Sequence, residues 1–115
     1  MHEIALVKNI FTELEAVYPH KMHLIQRIQL KAGVLSNVQP ILMQNAFSAV
    51  IQEESKYAHI ELEVLVIPIK IQCESCHLIS EVQQYRFICS CGKPCRNIIE
   101  GEELLISEVE FISVD

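Results

Sequence analysis

The chain has 115 residues, of which half are hydrophobic, and nine basic against fifteen acidic side chains give it a net charge of −6. This length suits one ordinary domain, or a small domain with a metal-stabilised appendage, and the hydrophobic content excludes a disordered chain. The acidic balance excludes duplex nucleic acid as a partner, because phosphate binding needs a basic surface.

The first half of the chain shows helix and strand patterns in turn. Apolar side chains spaced three and four apart predict an amphipathic helix over residues 3–18, which Pro19 ends. Apolar and polar residues then alternate over 22–32, which predicts a half-buried strand with only Ile25 and Gln26 out of pattern.

A turn at residues 36–40 leads into a second predicted helix, with Pro40 near its first position and an end at about Glu54. The inward face of this helix is expected to carry Leu42, Ala46, Phe47, Ala49 and Val50. Residues 59–67 alternate again, with an expected inward set of Ile60, Leu62, Val64 and Val66. This order predicts an α+β fold, in which two helices cover one face of a small sheet.

Residues 68–103 differ from the first half of the chain in composition, because they contain all five cysteines. A segment this short cannot bury a core of its own, so a bound metal would supply its folding energy. Short β-prone pieces such as 84–88 lie within it, and residues 104–111 predict a last strand that can return to the first sheet. We therefore expect an α+β domain of residues 1–67 plus 104–115, interrupted by a zinc-ribbon-like module at 68–103.

The longest apolar run, at residues 65–69, is too short to cross a bilayer, and the first 30 residues lack the layout of a signal peptide. We expect a soluble, cytoplasmic protein with no membrane partner. Thiols stay reduced in that compartment, so the cysteines are expected to bind metal rather than to form disulfides.

The cysteines fall into two close-spaced groups, about a dozen residues apart. Each group can present two thiolates to one ion, which is what a tetrahedral zinc site needs. The predicted ligands are Cys73, Cys76, Cys89 and Cys91, with Cys95 as a possible substitute for Cys89. The spare cysteine is otherwise a small buried hydrophobic residue or an exposed thiol.

Met1-His2-Glu3 forms a second candidate metal site. The terminal amine, the amide nitrogen of His2 and its imidazole can close adjacent chelate rings, a nitrogen-rich geometry that suits Ni(II) or Cu(II) better than zinc. Glu3 adds an oxygen ligand or a hydrogen-bond acceptor. The ordinary alternative is a solvated histidine beside a carboxylate that caps the first helical turn.

Taken together, these segments resemble the HypA/HybF family of nickel-insertion proteins over essentially the whole chain. The matching segments are Met1-His2-Glu3, residues 33–40, Cys73-x-x-Cys76, and residues 87–89 leading to 101–106. The resemblance implies a nickel metallochaperone that works with a GTPase partner and delivers Ni(II) to the large subunit of [NiFe]-hydrogenase. It also implies that His2 and Glu3 carry nickel, that the position of Met1 matters, and that four cysteines hold a structural zinc ion.

The second cysteine pair departs from the family pattern. Members usually show Cys-Pro-x-Cys-Gly, whereas this chain has Cys89-Ser90-Cys91-Gly92, which is one residue shorter. Either Cys95 replaces Cys89, or the zinc site is looser than usual.

The sequence thus predicts a monomeric or homodimeric chaperone that is not an enzyme, with structural zinc and transferred nickel. The alternative is a zinc-ribbon protein-interaction module with no nickel role. A catalytic zinc ranks third, because four thiolates leave no open coordination position for water or substrate.

Overall fold

The computed structural model describes residues 2–113, apart from the side chain of His2. Within this range the chain forms two α-helices and six β-strands. Helix α1 is His2–Val17 and α2 is Pro40–Glu53. The strands are β1 (Ile25–Gly33), β2 (Glu61–Ile67), β3 (Lys70–Gln72), β4 (Ile79–Glu81), β5 (Ile98–Glu100) and β6 (Leu104–Phe111). No helix of the described part is long and apolar enough to span a bilayer.

The strands form two separate three-stranded sheets. In the first, β1 lies in the centre, parallel to β2 and antiparallel to β6. In the second, β3 lies between β4 and β5 and is antiparallel to both. The last strand therefore does return to the first sheet after the cysteine segment. The predicted α+β class, with two helices over a small sheet and a zinc-ribbon-like module, is confirmed.

The main hydrophobic core lies between the two helices and the first sheet. Its centre is aromatic: the rings of Phe11 and Tyr57 stack with centroids 4.1 Å apart, and Phe47 stacks on Phe11 at 5.6 Å. Around them are further buried side chains from both helices and the sheet, namely Val7, Leu14, Ile25, Ile28, Leu30, Met43, Val50 and Leu62. Burying each large apolar side chain contributes about 1.5–3 kcal/mol, so this core supplies most of the stability of the domain.

The strand predicted over 22–32 begins later than expected. Met22–Leu24 form a 3-10 turn, and β1 starts at Ile25, which is fully buried although it was judged out of pattern. The pairing of β1 with β6 is irregular between Ile25 and Arg27, so Ile25 and Ile28 are both buried although they are three residues apart. On β2, Val66 was predicted inward but is 51% exposed, because burial of this edge strand falls toward its end.

Three of the five residues predicted on the buried face of α2 are buried, and the other two are not. Leu42 and Ala49 are exposed, whereas Met43 is fully buried together with Ala46, Phe47 and Val50. Positions 43, 46, 47 and 50 are spaced three and four apart and make one narrow stripe, whereas Leu42 and Ala49 lie on its flank.

The β-prone segment at 84–88 is not a strand. Gln84 and Tyr85 have φ of 53° and 58°, and the N–H of Arg86 donates to the carbonyl of Gln83 at 3.0 Å. Two consecutive residues in the left-handed region make a tight turn of the type that joins hairpin strands. The segment therefore reverses the chain instead of extending it.

Two linkers join the second sheet to the first, and both pass close to Gly33. The N–H of Gly33 donates to the carbonyl of Glu103 at 2.7 Å, and that of Leu35 donates to Gly101 at 2.8 Å. A Cβ on Gly33 would lie 2.1 Å from the Gly101 oxygen, and one on Gly101 would lie 2.7 Å from the Cα of Ile69. We call Gly33, Ile69, Gly101 and Glu103 the neck. Only glycine permits such close backbone contacts, which hold both linkers against the end of β1.

Candidate metal centre

Four cysteine sulfurs converge at one end of the second sheet. The Sγ atoms of Cys73, Cys76, Cys89 and Cys91 all lie within 4.8 Å of one another. The sulfurs of Cys73 and Cys91 are 3.9 Å apart, and those of Cys76 and Cys89 are 3.4 Å apart. Tetrahedral zinc with Zn–S bonds of about 2.3 Å places its sulfurs about 3.8 Å from one another. The cluster therefore fits a tetrahedral zinc ion.

The first pair of cysteines lies on a tight turn that follows β3. The N–H of Cys73 donates to the carbonyl of Leu78, and the N–H of His77 donates back to Cys73, both at 2.9 Å. The backbone N–H groups of Cys76 and Ser75 point at the sulfur of Cys73 and lower its pKa. The turn thus stabilises a thiolate before any metal is bound.

The second pair lies on a turn between β4 and β5. Here the N–H of Cys91 donates to the sulfur of Cys89 at 3.4 Å, and the N–H of Gly92 donates to the Cys89 carbonyl at 2.8 Å. Gly92 has a φ of 94°, which a residue with a side chain rarely adopts. The shortened Cys-x-Cys spacing is thus accommodated by a tighter turn, and both sulfurs still reach the cluster.

The four cysteine thiols cannot all ionise side by side without a cation, because neighbouring thiolates repel one another. The N–H of Cys91 lowers the pKa of Cys89 to about 6. At Cys76 the N–H of Leu78 favours the thiolate, but the neighbouring sulfur of Cys89 and burial outweigh it and raise the pKa to about 12. One thiolate therefore keeps its neighbour protonated, and a divalent cation would remove this conflict and allow all four sulfurs to ionise.

Cys95 occupies a different position. It is buried, and its Sγ donates to the carbonyl of Gln72 at 3.2 Å. It belongs to a small cluster of the second sheet with Ile71, Cys73, Cys89, Val82, Phe87 and Ile98. Because the sulfur of Cys89 converges with the other three and that of Cys95 is not in this group, the arrangement favours Cys89 over Cys95 as the fourth zinc ligand. So small a core agrees with a segment that needs metal to fold.

The predicted nickel ligands fall largely outside the described residues. Met1 and the side chain of His2 are not described, so their role stays a prediction. Glu3 lies partly exposed in the first turn of α1. Within residues 2–113, no second group of three or more metal-ligating side chains converges.

An apolar recess of about 210 Å³ adjoins Glu3. It lies between the start of α1 and one flank of α2, and its lining includes Ile4, Leu42 and Ala49. Sequence reasoning missed this feature, since apolar residues in an amphipathic helix are ordinarily expected to be buried. The exposed side chains of α2 are therefore the surface that a protein approaching Glu3 would meet.

An α+β domain that carries a module with four converging cysteine sulfurs is typical of a metal-binding protein. A family model described as hydrogenase/urease nickel incorporation, metallochaperone, HypA matches residues 1–111. The chain belongs to this family, which confirms the resemblance found in the sequence. Membership makes it a nickel-incorporation metallochaperone of hydrogenase maturation.

Relatives and solved structures agree with this assignment. The hydrogenase maturation factor HypA of Nitrosospira multiformis is 31% identical, over 98% of this chain and 99% of the relative. That of Desulfitobacterium hafniense is 33% identical, over 96% and 97%. The solution structure of the Ni metallochaperone HypA from Helicobacter pylori has a TM-score of 0.63 at 18% identity, covering 97% of this chain and 98% of that one. A second HypA solution structure has a TM-score of 0.67 at 20% identity, covering 97% of each chain. These two structures show a shared fold.

Proposed function

We propose that the chain binds Ni(II) at its N-terminus through Met1, His2 and Glu3, and delivers it to the large subunit of [NiFe]-hydrogenase with the help of a GTPase partner. The protein works in the cytoplasm and transfers an ion without catalysing a reaction. The observation that carries the proposal is family membership over residues 1–111, in a chain that begins Met1-His2-Glu3.

The zinc part of the proposal rests on the sulfur cluster. Cys73, Cys76, Cys89 and Cys91 are assigned as ligands of a structural Zn(II) ion within residues 68–103, and residues 1–67 plus 104–115 form the nickel-binding domain. Four thiolates satisfy tetrahedral zinc completely and leave no position for exchange. The separations of 3.4 Å and 3.9 Å between sulfur pairs support this closed site.

The nickel part of the proposal rests on accessible ligands, in contrast to the fully coordinated zinc site. Amine, amide and imidazole nitrogens at a chain end suit Ni(II), and a site at the end of a helix can be approached from several directions. Glu3, which is partly exposed in the first turn of α1, is available as a fourth ligand or as a hydrogen-bond acceptor. Few ligands in an accessible position allow an acceptor protein to replace them one at a time.

Native mass spectrometry of the untagged, zinc-loaded protein tests both sites together. We expect one zinc in every variant and one nickel in the unsubstituted chain. His2→Ala should lose the nickel, whereas His20→Ala, which removes an exposed histidine after α1, should keep it. Nickel uptake by His2→Ala equal to that of the unsubstituted chain would refute the N-terminal site and leave the interaction module as the better hypothesis.

Delivery needs an acceptor assay. Apo large subunit is mixed with nickel-loaded chain, with and without the GTPase and GTP, and the nickel on the large subunit is counted by mass spectrometry. We expect transfer that the GTPase accelerates. A chain that retains its nickel under all these conditions would contradict the proposed role in delivery.

A further inference from the structure

The outer edge of β6 is long and uncovered. This strand has eight residues and pairs with β1 on one side only. On the opposite edge of the sheet, the side chain of Gln44 in α2 donates to the Leu62 carbonyl of β2 at 2.6 Å. No helix side chain makes such a bond to β6 within residues 2–113. Unpaired strand edges are templates for an additional strand, and proteins usually protect them.

A groove of about 150 Å³ runs between this edge and α1. Its apolar lining includes Leu6 and Ile10 of α1, buried Met43 of α2, and Ile106 of β6. Leu105 on its rim is 47% exposed. We call this recess, together with the free strand edge, the β6 groove. An added strand could place apolar side chains in it at every second position.

The charges around the β6 groove are acidic. Glu13 of α1 lies in its lining, which contains no basic side chain, and Glu108 is exposed on β6 itself. On the open face of β1, Arg27 is paired with Glu63 and Glu110, and the exposed Lys31 lies opposite Leu105 of β6. The groove lining itself therefore carries a carboxylate and no cation, in agreement with the net charge of −6.

We propose that the β6 groove is a docking site for an extended protein segment in which apolar and basic residues alternate. The segment extends the sheet beside β6 through backbone hydrogen bonds. Because successive side chains point to opposite faces, its apolar residues fill the groove while its basic residues lie on the open face near Glu108. This site is separate from both metal sites and does not depend on the proposed nickel role.

A second copy of this chain is a poorer occupant of the β6 groove. Both edge strands of the first sheet carry carboxylates, with Glu61 and Glu63 on β2 and Glu108 on β6. Pairing them with β6 brings like charges together, which destabilises cross-strand contacts. The charge pattern therefore favours a basic partner over self-association.

A synthetic nine-residue peptide of alternating valine and lysine is the probe, and the matching valine–glutamate peptide is its control. With the zinc-loaded full chain, we expect the lysine peptide to shift the amide NMR signals of residues 104–111 and to slow their hydrogen exchange. Glu108→Lys should weaken binding at least about tenfold and Glu108→Gln less, because both remove charge complementarity. Glu61→Lys, on the opposite sheet edge, is the matched control and should bind almost normally.

Four results would overturn the proposal. An equal loss of affinity for the lysine peptide in Glu108→Lys and Glu61→Lys would show general attraction between a cationic peptide and an acidic protein. Binding without changes at residues 104–111 would place the peptide elsewhere, and absence of binding would remove the site. A concentration-dependent dimer that is altered by Glu108→Lys in analytical ultracentrifugation would assign the edge to a second copy instead.

Discussion

Replacing Gly33 by alanine should weaken the neck selectively. The added Cβ would lie 2.1 Å from the oxygen and 2.2 Å from the carbon of the Gly101 carbonyl, and 2.7 Å from the nitrogen of Glu102. All three are backbone atoms, which cannot rotate away as the end of a side chain can. A carbon and an oxygen in non-bonded contact need about 3.3 Å, so the linker must move by about 1 Å.

That movement breaks two hydrogen bonds and strains the surrounding chain. A shift of about 1 Å takes the bonds from Gly33 to Glu103 and from Leu35 to Gly101, now 2.7 and 2.8 Å, beyond hydrogen-bond distance. Each bond contributes about 1 kcal/mol, and the forced displacement adds about 1 kcal/mol or more. The expected loss is about 3 kcal/mol, which corresponds to a fall in Tm of about 10 °C for a chain of this size.

Thermal unfolding of zinc-loaded protein, followed by circular dichroism, measures this loss. Gly92→Ala is the control, since its Cβ would have no atom within 4 Å, although its φ is 94°. Backbone strain alone should lower its stability by about 1 kcal/mol. Zinc content is checked in both variants, because Gly92 follows a cysteine of the cluster. If Gly33→Ala unfolds no earlier than Gly92→Ala, the two linkers are not held together at Gly33 as described.

Further substitutions test other contacts. The hydroxyl of Tyr57 donates to Glu15 and is the main cause that lowers the pKa of this carboxyl. A lowered carboxyl pKa stabilises the fold above the unfolded pKa, and this stabilisation is lost as the pH falls through the folded pKa. Tyr57→Phe should therefore move the acid-unfolding midpoint to higher pH, and an unchanged midpoint would contradict the role of this bond. Met43→Ala should lower the free energy of urea unfolding by about 2–5 kcal/mol, and Leu42→Ala by less than about 1 kcal/mol. Similar losses for these neighbours would mean that α2 is rotated from its described orientation. Cys95→Ala should keep one zinc per chain in native mass spectrometry but lower the Tm, since it removes a buried sulfur and its hydrogen bond to the Gln72 carbonyl. Loss of zinc from this variant would instead make Cys95 a ligand.

Local periodicity predicted the helices well. The apolar spacing gave 3–18 for the first helix against His2–Val17 in the structure, and Pro40 does begin the second. Both signals lie within one or two turns of the backbone and need no distant partner. The prediction that Leu42 and Ala49 are buried was wrong, because the rotation of a helix about its axis depends on what it packs against.

The tight turn at Gln84 and Tyr85 was also not predicted from the sequence. Hairpin turns with two left-handed residues usually contain glycine, asparagine or aspartate, and this chain places Gln84 and Tyr85 there instead. Nothing in these residue types distinguishes the turn from a strand. The order of the strands within the sheet could not be predicted from the sequence either. The sequence suggested that residues 104–111 could rejoin the first sheet, but it did not indicate the open edge of that sheet or the groove beside it.

The candidate zinc site was predictable because its chemistry is local and unusual. Cysteine is rare, and pairs at short spacing indicate metal turns without knowledge of the fold. The choice between Cys89 and Cys95 was harder, since spacing alone does not show which of the two sulfurs reaches the other three. The predicted nickel ligands are a different case, as Met1 and the side chain of His2 lie outside the described residues.

The path of the chain through the neck also matters during biosynthesis. The ribosome releases β1 and β2 early, but β6, the second neighbour of the central strand, follows only after the whole cysteine segment. Until the two linkers meet, one side of β1 stays without a partner and open to aggregation. With zinc bound as proposed, folding of the module would draw the distant ends of the loop together and shorten this vulnerable interval. Zinc supply at the time of translation would then affect the yield of the folded chain, so that scarcity of one metal would limit the handling of another.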